Sequence, residues 1–156
     1  LEKIRDGSIN ACFTLTDFVK YAKDISLITL GDIKKYLLYS DVFYPDNQDI
    51  QIQDFKKEQF FCLGNEKADP TRYLMEEYCK YYGFFPMIKS LPNIDSVISN
   101  VEFGNGVTIL DELTQYPASK HIKSITFEQN HTLCFAWNAD YDSLSIQLLR
   151  EQLANP

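Results

Sequence analysis

The sequence predicts an α/β fold, a parallel or mixed sheet with helices on its faces, from three observations. Between Gln59 and Leu110, short β-prone runs alternate with two amphipathic segments in the order strand, helix, strand, helix, strand. The chain has 156 residues, 45% of them hydrophobic and 24% charged, which suits about one globular domain with a buried core. No internal repeat or low-complexity tract interrupts it. In such sheets ligands lie beyond the carboxyl ends of the strands.

Each element has a local reason. Leu1 and Ile4 are spaced as on a helix, and Gly7 stands where that helix would stop in the left-handed conformation. Ile9 to Thr14 is a short apolar run suited to a buried strand, and Ile25 to Leu30 and Ile33 to Leu38 supply two more. Asp32 and two lysines leave the last of these ambiguous. After the turn-rich Tyr44-Pro45-Asp46-Asn47, Gln59 to Leu63 reads as an aromatic strand ending at Gly64 and Asn65. Asp69 as cap, Pro70 at the first helical position, a face of Leu74, Tyr78, Tyr81 and Tyr82, and Gly83 as stop predict a helix from Asp69 to Tyr82. Met87 to Leu91 is the next strand. Asn93 then caps the stripe Ile94, Val97, Ile98, Val101, which Gly104 closes before strand Val107 to Leu110. Strands near Ser124 to Phe127 and Thr132 to Trp137 follow, then a helix capped by Asp142 that carries Leu144, Ile146, Leu148, Leu149 and Leu153.

Composition excludes several classes of function. Fifteen Lys and Arg against 22 Asp and Glu give a net charge of −7, which repels phosphate backbones and anionic lipid surfaces. No apolar run reaches the length of a membrane span, and the opening residues lack the apolar stretch of a signal peptide, so the expected compartment is the cytoplasm. Cys12, Cys62, Cys79 and Cys134 form no CxxC pair and sit among apolar neighbours, which predicts buried, reduced thiols and no metal site. His121 and His131 stand apart from any thiol or nucleophile, so neither is expected to be catalytic. The aromatic series Tyr73, Tyr78, Tyr81, Tyr82, Phe84 and Phe85 reads as core or subunit interface before it reads as a stacking box, and Trp137 as structural.

Five segments, in order, carry a resemblance: LEKIRDGSINACF, KKEQFFCLG, LMEEYCKYYGFFP, VISNVEFGNGVTILDE and TLCFAWNADYDSLSIQLLREQL. Together they resemble the effector-binding domain of LysR-type transcriptional regulators, over nearly the whole chain. The resemblance implies two α/β lobes of periplasmic-binding-protein type 2 joined by two crossover strands, with a small effector held between them. It places 1–41 and 128–156 in the first lobe and 42–127 in the second. In that family a strand and a helix precede the LEKIRDG position, so the first lobe is expected to be incomplete. Its sheet would lack a hydrogen-bonding neighbour, leaving it poorly ordered or paired with another chain. A winged helix-turn-helix domain, absent here, would contact promoter DNA.

Loops leaving strands and first turns of helices present unpaired N–H groups that accept anions. The candidate effector-binding residues are therefore Leu63, Gly64 and Asn65 after the aromatic strand, Leu91, Pro92 and Asn93 before the cap, and Gly104 and Gly106. Thr14 and Thr16 contribute hydroxyls from the first lobe. Each has a plainer reading: Asn93 as a helix cap, Gly104 as a helix stop, Gly106 as a turn, and the threonines as ordinary strand-end hydroxyls. Asp95 and Glu66 would weaken an anionic preference, and Arg72 and Lys67 offset them unless both are merely solvated.

The leading function is an effector-sensing domain of a transcriptional regulator, binding a small molecule, carboxylate or other anion, and forming a homodimer or homotetramer, without membrane, metal or cofactor. Catalysis is disfavoured because the chain has no GxSxG elbow, P-loop, GxGxxG fingerprint or nucleophile with its base. Two alternatives remain: a solute-binding protein of a transporter, which a secretion signal on the parent would favour, and a fragment of an α/β enzyme, which turnover by the complete protein would reveal.

Overall fold

A computed structural model describes residues 2–44, 49–64, 70–141 and 143–154. Leu1, the turn at Pro45 to Asn47, Asn65, Glu66, Lys67, and the expected caps Asp69 and Asp142 lie outside the described residues. Along the chain run α1 (Glu2–Arg5), β1 (Ala11–Leu15), α2 (Thr16–Val19), β2 (Ile25–Ile33), β3 (Lys35–Ser40), a 3-10 turn (Ile52–Phe55), β4 (Gln59–Leu63), α3 (Pro70–Tyr81), β5 (Met87–Leu91), α4 (Ile94–Glu102), β6 (Val107–Asp111), β7 (Ile122–Thr126), β8 (His131–Asn138) and α5 (Leu144–Ala154). They divide into two compact units, Leu1–Ile33 with Gln129–Pro156, and Lys34–Glu128. The chain leaves the first unit at Ile33/Lys34, before the 41/42 boundary expected from the sequence. The reason is that β3 hydrogen-bonds to β6 and β7, which are strands of the second unit.

The second unit is built on a five-stranded mixed sheet of order β5-β4-β6-β3-β7. β4 runs parallel to β5 and β6, and β3 runs antiparallel to β6 and β7. Two-residue alternation sends Phe60, Cys62, Leu37 and Ile109 to one face, where they meet Met75, Tyr78 and Cys79 of α3 and Ile52 and Phe55 of the 3-10 turn. Phe61, Leu38 and Leu110 go to the other face and meet Val97, Ile98 and Val101 of α4. Both faces are thus covered, as parallel strands require. The buried side of α3 differs from the expected one. Tyr78 is buried and Leu74 and Tyr82 pack partly against the core, but Tyr81 is exposed and Met75 and Cys79 take its place. Tyr73 and Phe85 are also exposed, so only part of the aromatic series serves the core.

The first unit has a three-stranded antiparallel sheet, β1-β8-β2, with β8 at its centre. Cys134 and Ala136 of β8 face Ile4, Val19 and Ile25, while Phe135 and Trp137 face Ile146 of α5. Trp137 is structural as expected: it stacks on Phe135 with centroids 5.6 Å apart, and the Arg150 guanidinium lies 4.8 Å from its ring. β2 continues past the expected end at Leu30: the register shifts between Thr29 and Gly31, skipping Leu30, and pairing with β8 resumes from Gly31 to Ile33. At α5 the Oγ of Ser143 accepts from the Ile146 N–H at 3.4 Å, and the expected stripe residues Leu144 and Leu148 are exposed. All four cysteines are free thiols; Cys62, Cys79 and Cys134 are buried and Cys12 is partly so. Burial pushes the Cys79 thiol up to about 12, which removes it as a nucleophile.

Candidate functional site

In the second unit the structure brings together one end of the parallel strands. β4 and β5 are paired through Leu63 and Leu91, so both strands stop side by side, and the Gly64 N–H donates to the Leu91 carbonyl at 3.0 Å. Leu63, Pro92 and Asn93 are exposed there, and Gly64 and Leu91 half-buried. Asn93 starts α4 directly: its backbone is extended and its side-chain oxygen accepts from the Ser96 N–H at 2.8 Å. The first-turn amides of α4, which have no partner within the helix, therefore open onto the carboxyl ends of β4 and β5. Asp95 in that turn opposes an anion. Arg72 is not simply solvated. Its guanidinium donates to the Ile88 carbonyl of β5 at 3.2 Å and pairs with Glu76 at 3.2 Å, which fixes α3 to the strand.

Gly104 and Gly106 fall elsewhere. They connect the end of α4 to the start of β6, whose first residue Val107 pairs with Phe60 near the start of β4. That is the amino end of the parallel strands, opposite the turn at Leu63 and Leu91. Both glycines have packing reasons to be there. Gly104 has φ +71° and lies under the ring of Phe43, where a Cβ would stand 2.0 Å from the ring; at Gly106, φ +152°, a Cβ would come within 2.1 Å of the Gln59 carbonyl oxygen. The expectation that they join the other candidates is corrected on this geometry.

Thr14 and Thr16 belong to the first unit and are half-buried. Thr14 pairs with Cys134 on β8, and Thr16 opens α2, its carbonyl accepting from the Lys20 N–H at 2.9 Å. Next to Thr16, Asp17 accepts from the buried His131 at 2.9 Å and from the Lys20 ammonium at 3.0 Å. Partial burial raises the Asp17 carboxyl, but the hydrogen bonds from Lys20 and His131 outweigh it and hold the carboxyl below its ordinary range. A similar pair joins His121 to Asp41 at 3.2 Å, with Lys123 on the other carboxylate oxygen at 3.5 Å. Neither pair was visible in the sequence, because the partners stand 114 and 80 residues apart. Beside β1 a groove of about 410 Å³ is lined by residues including Phe13, Phe135 and Ile146; Thr14 and Thr16 are not among them. Among the described residues, no cluster of His, Cys, Asp and Glu has the makings of a metal site, and no helix is long and apolar enough to cross a membrane.

Two α/β units, one continuous and one assembled from both ends of the chain, define a two-unit α/β class of fold. Solved structures narrow that class. The chain is similar to the effector-binding domain of BenM with its effector benzoate, at TM-score 0.72 and 15% identity, over 98% of this chain and 71% of that one. It is similar to the LysR family regulator CbnR, at TM-score 0.69 and 11% identity over 97% of this chain and 54% of that one. The LysR family regulator HinK of Pseudomonas aeruginosa gives TM-score 0.71 and 18% identity, over 97% and 56%. The fold is therefore the type 2 periplasmic-binding-protein-like fold of LysR effector-binding domains. The chain spans about half the length of the full-length regulators. No family model matches it, and no curated protein matches it in sequence.

Proposed function

We propose that this chain is the effector-sensing domain of a LysR-type transcriptional regulator. The observation that carries the reading is coverage: 97% or more of the chain follows the fold of such domains, including one solved with benzoate. The second unit contributes the turn of Leu63, Gly64, Leu91, Pro92 and Asn93, where strand ends and the start of α4 offer amides to a small carboxylate or other anion. Thr14 and Thr16 are the first unit's contribution, through hydroxyls that donate or accept. An effector that favours one arrangement of the units shifts their population, and promoter DNA is bound by a separate domain. The acidic balance of the chain fits that division of labour. The parent protein acts in the cytoplasm as a homo-oligomer.

The test is a thermal-shift screen of benzoate, other small carboxylates, amino acids and sugar phosphates. A true effector raises the melting point with concentration by mass action, and Asn93→Ala or Thr14→Val reduces the shift. If no compound moves the melting point, or if a binder is indifferent to both substitutions, the proposed site is wrong. Turnover of any compound by the complete protein would favour an enzyme instead.

A further inference from the structure

The chain passes between the two units twice, at Ile33/Lys34 and at Glu128/Gln129. Both passages are short. The exposed Lys34 stands between the buried Ile33 and Lys35, and the exposed Glu128, Gln129 and Asn130 stand between the buried Phe127 and His131. On the second-unit side the strand ladder ends just before them. β3 and β6 pair as far as Lys35 and Asp111, β3 and β7 as far as Tyr36 and Thr126, and the Phe127 N–H still reaches the Lys35 carbonyl at 2.9 Å. Backbone groups past the end of a ladder need another partner or water. Here side chains supply it. The Lys34 N–H donates to the Glu112 carboxylate at 2.9 Å while the Glu112 N–H donates to the Lys34 carbonyl at 3.0 Å, and the Glu128 N–H donates to the Tyr82 hydroxyl at 3.1 Å. These two side chains come from 78 and 46 residues away in the chain.

We infer that Glu112 and Tyr82 are positioning residues for the two passages: they hold the chain to the second unit as far as its boundary residues Lys34 and Glu128, so that bending is left to the Ile33–Lys34 link and to Gln129 and Asn130. Buried side chains back each contact. The Lys35 ammonium lies 3.3 Å from the centre of the Tyr78 ring, and the Phe127 ring packs 5.7 Å from Tyr78 and edge-on to Tyr82 at 5.5 Å, so the end of α3 meets both passages through one group of rings. Tyr82 is itself fixed, since its N–H donates to the Cys79 carbonyl at 3.1 Å and Gly83, with φ +84°, then turns the chain out of the helix. The bond from Lys34 to the Glu112 carboxylate is charge-assisted and the stronger of the two. What this anchoring does for an effector response rests on the function proposed above, because a shift between arrangements is expressed where the chain can bend. The anchoring itself is read without any effector, so a negative thermal-shift screen would leave it standing.

Amide hydrogen exchange of the 156-residue chain, read residue by residue by NMR, tests it. The Lys34 and Glu128 amides should exchange more slowly than unstructured chain, and those of Gln129 and Asn130 at close to its rate. Tyr82→Phe keeps the ring and loses only the acceptor, and should speed exchange at Glu128 by about two- to tenfold, the worth of one ordinary hydrogen bond. Glu112→Ala should do the same at Lys34, and Glu112→Gln, whose amide oxygen still accepts, should restore most of the protection. Each substitution is far in sequence from the amide it is read at, so the intrinsic rate there is unchanged. The Leu37 and Ile109 amides, in the core of the second unit, should keep their rates in all three variants. Unprotected Lys34 and Glu128 in the parent chain, protection running on through Gln129 and Asn130, no acceleration in Tyr82→Phe, a Glu112→Gln variant as fast as Glu112→Ala, or acceleration that spreads to Leu37 and Ile109 would each overturn the inference.

Discussion

The two units solve the same packing problem with different resources. The second has five strands, both faces covered, and a core that gathers Leu37, Phe55, Phe60, Met75, Cys79 and Val107 into one cluster. Among the described residues the first has three strands and two small clusters, one of them held by Ile4, Val19, Ile25, Cys134 and Ala136. Its central strand β8 is the one element on which everything else in that unit leans, since β1 and β2 both pair with it and each cluster takes two residues from it. Small sheets bury less apolar surface per residue and depend more on each contact. Stability in the 156-residue chain is therefore expected to be uneven, with the second unit providing the larger share.

Trp137 is the single tryptophan and lies in the first unit, so its fluorescence reports that unit while circular dichroism reports both. Phe60→Ala empties the fully buried centre of the second unit and should cost about 3–5 kcal/mol, seen in denaturation followed by circular dichroism before it is seen at Trp137. A parallel shift of both signals would show that the two cores unfold as one. Next in size, Gly106→Ala forces a Cβ against the Gln59 carbonyl oxygen at a φ that L residues avoid, for about 1–3 kcal/mol in the same unit. Unchanged stability would mean the connection between α4 and β6 yields. Asn93→Ala removes the cap of α4 for about 1 kcal/mol, and Asn93→Asp should restore most of it, which separates capping from any effect on ligand affinity.

The smallest effect concerns the first unit and pH. A carboxyl held below its ordinary value stabilises the fold above that value, and the contribution disappears as pH falls through the lowered folded value. Asp17, with an ordinary value of 3.8, should thus support the Trp137 transition at neutral pH and lose that role in acid below it. Asp17→Asn should flatten this part of the acid profile. Asp6 and Asp24 shift in the same direction, so the informative quantity is the difference between the variant and its parent. Identical profiles would mean the bonds from Lys20 and His131 do not hold in solution.

Local chemistry made much of the second unit readable. The stripe Val97, Ile98, Val101 behind Asn93 gave α4 and its cap, and the alternation of strands with helices gave the parallel part of the sheet. The first boundary between units was not readable. The polar look of the Lys34-Lys35 segment hid a strand interior, because Lys35 is 2% exposed with its ammonium 3.3 Å from the centre of the Tyr78 ring. At the candidate site, the ends of β4 and β5 and the cap of α4 put Leu63, Leu91 and Asn93 at one end of the sheet. Glycine carries no such direction: a turn from helix to strand looks in sequence like one from strand to helix, and Gly104 and Gly106 stand at the amino end of the parallel strands. Pairs such as His131 with Asp17 depend on chain crossings that no local pattern encodes.

The order of the strands bears on how the protein is made. The second unit begins and ends at neighbouring points, the Phe127 N–H donating to the Lys35 carbonyl at 2.9 Å, and everything it needs has left the ribosome once Glu128 is clear. The first unit must wait, because β8, which both β1 and β2 require, follows the whole of the second unit in the chain. During synthesis Glu2 to Ile33 are thus held without β8 until the second unit is complete. Nascent chains stalled after Glu128 should already protect Lys34 to Glu128 from protease, and leave Glu2 to Ile33 open to cleavage.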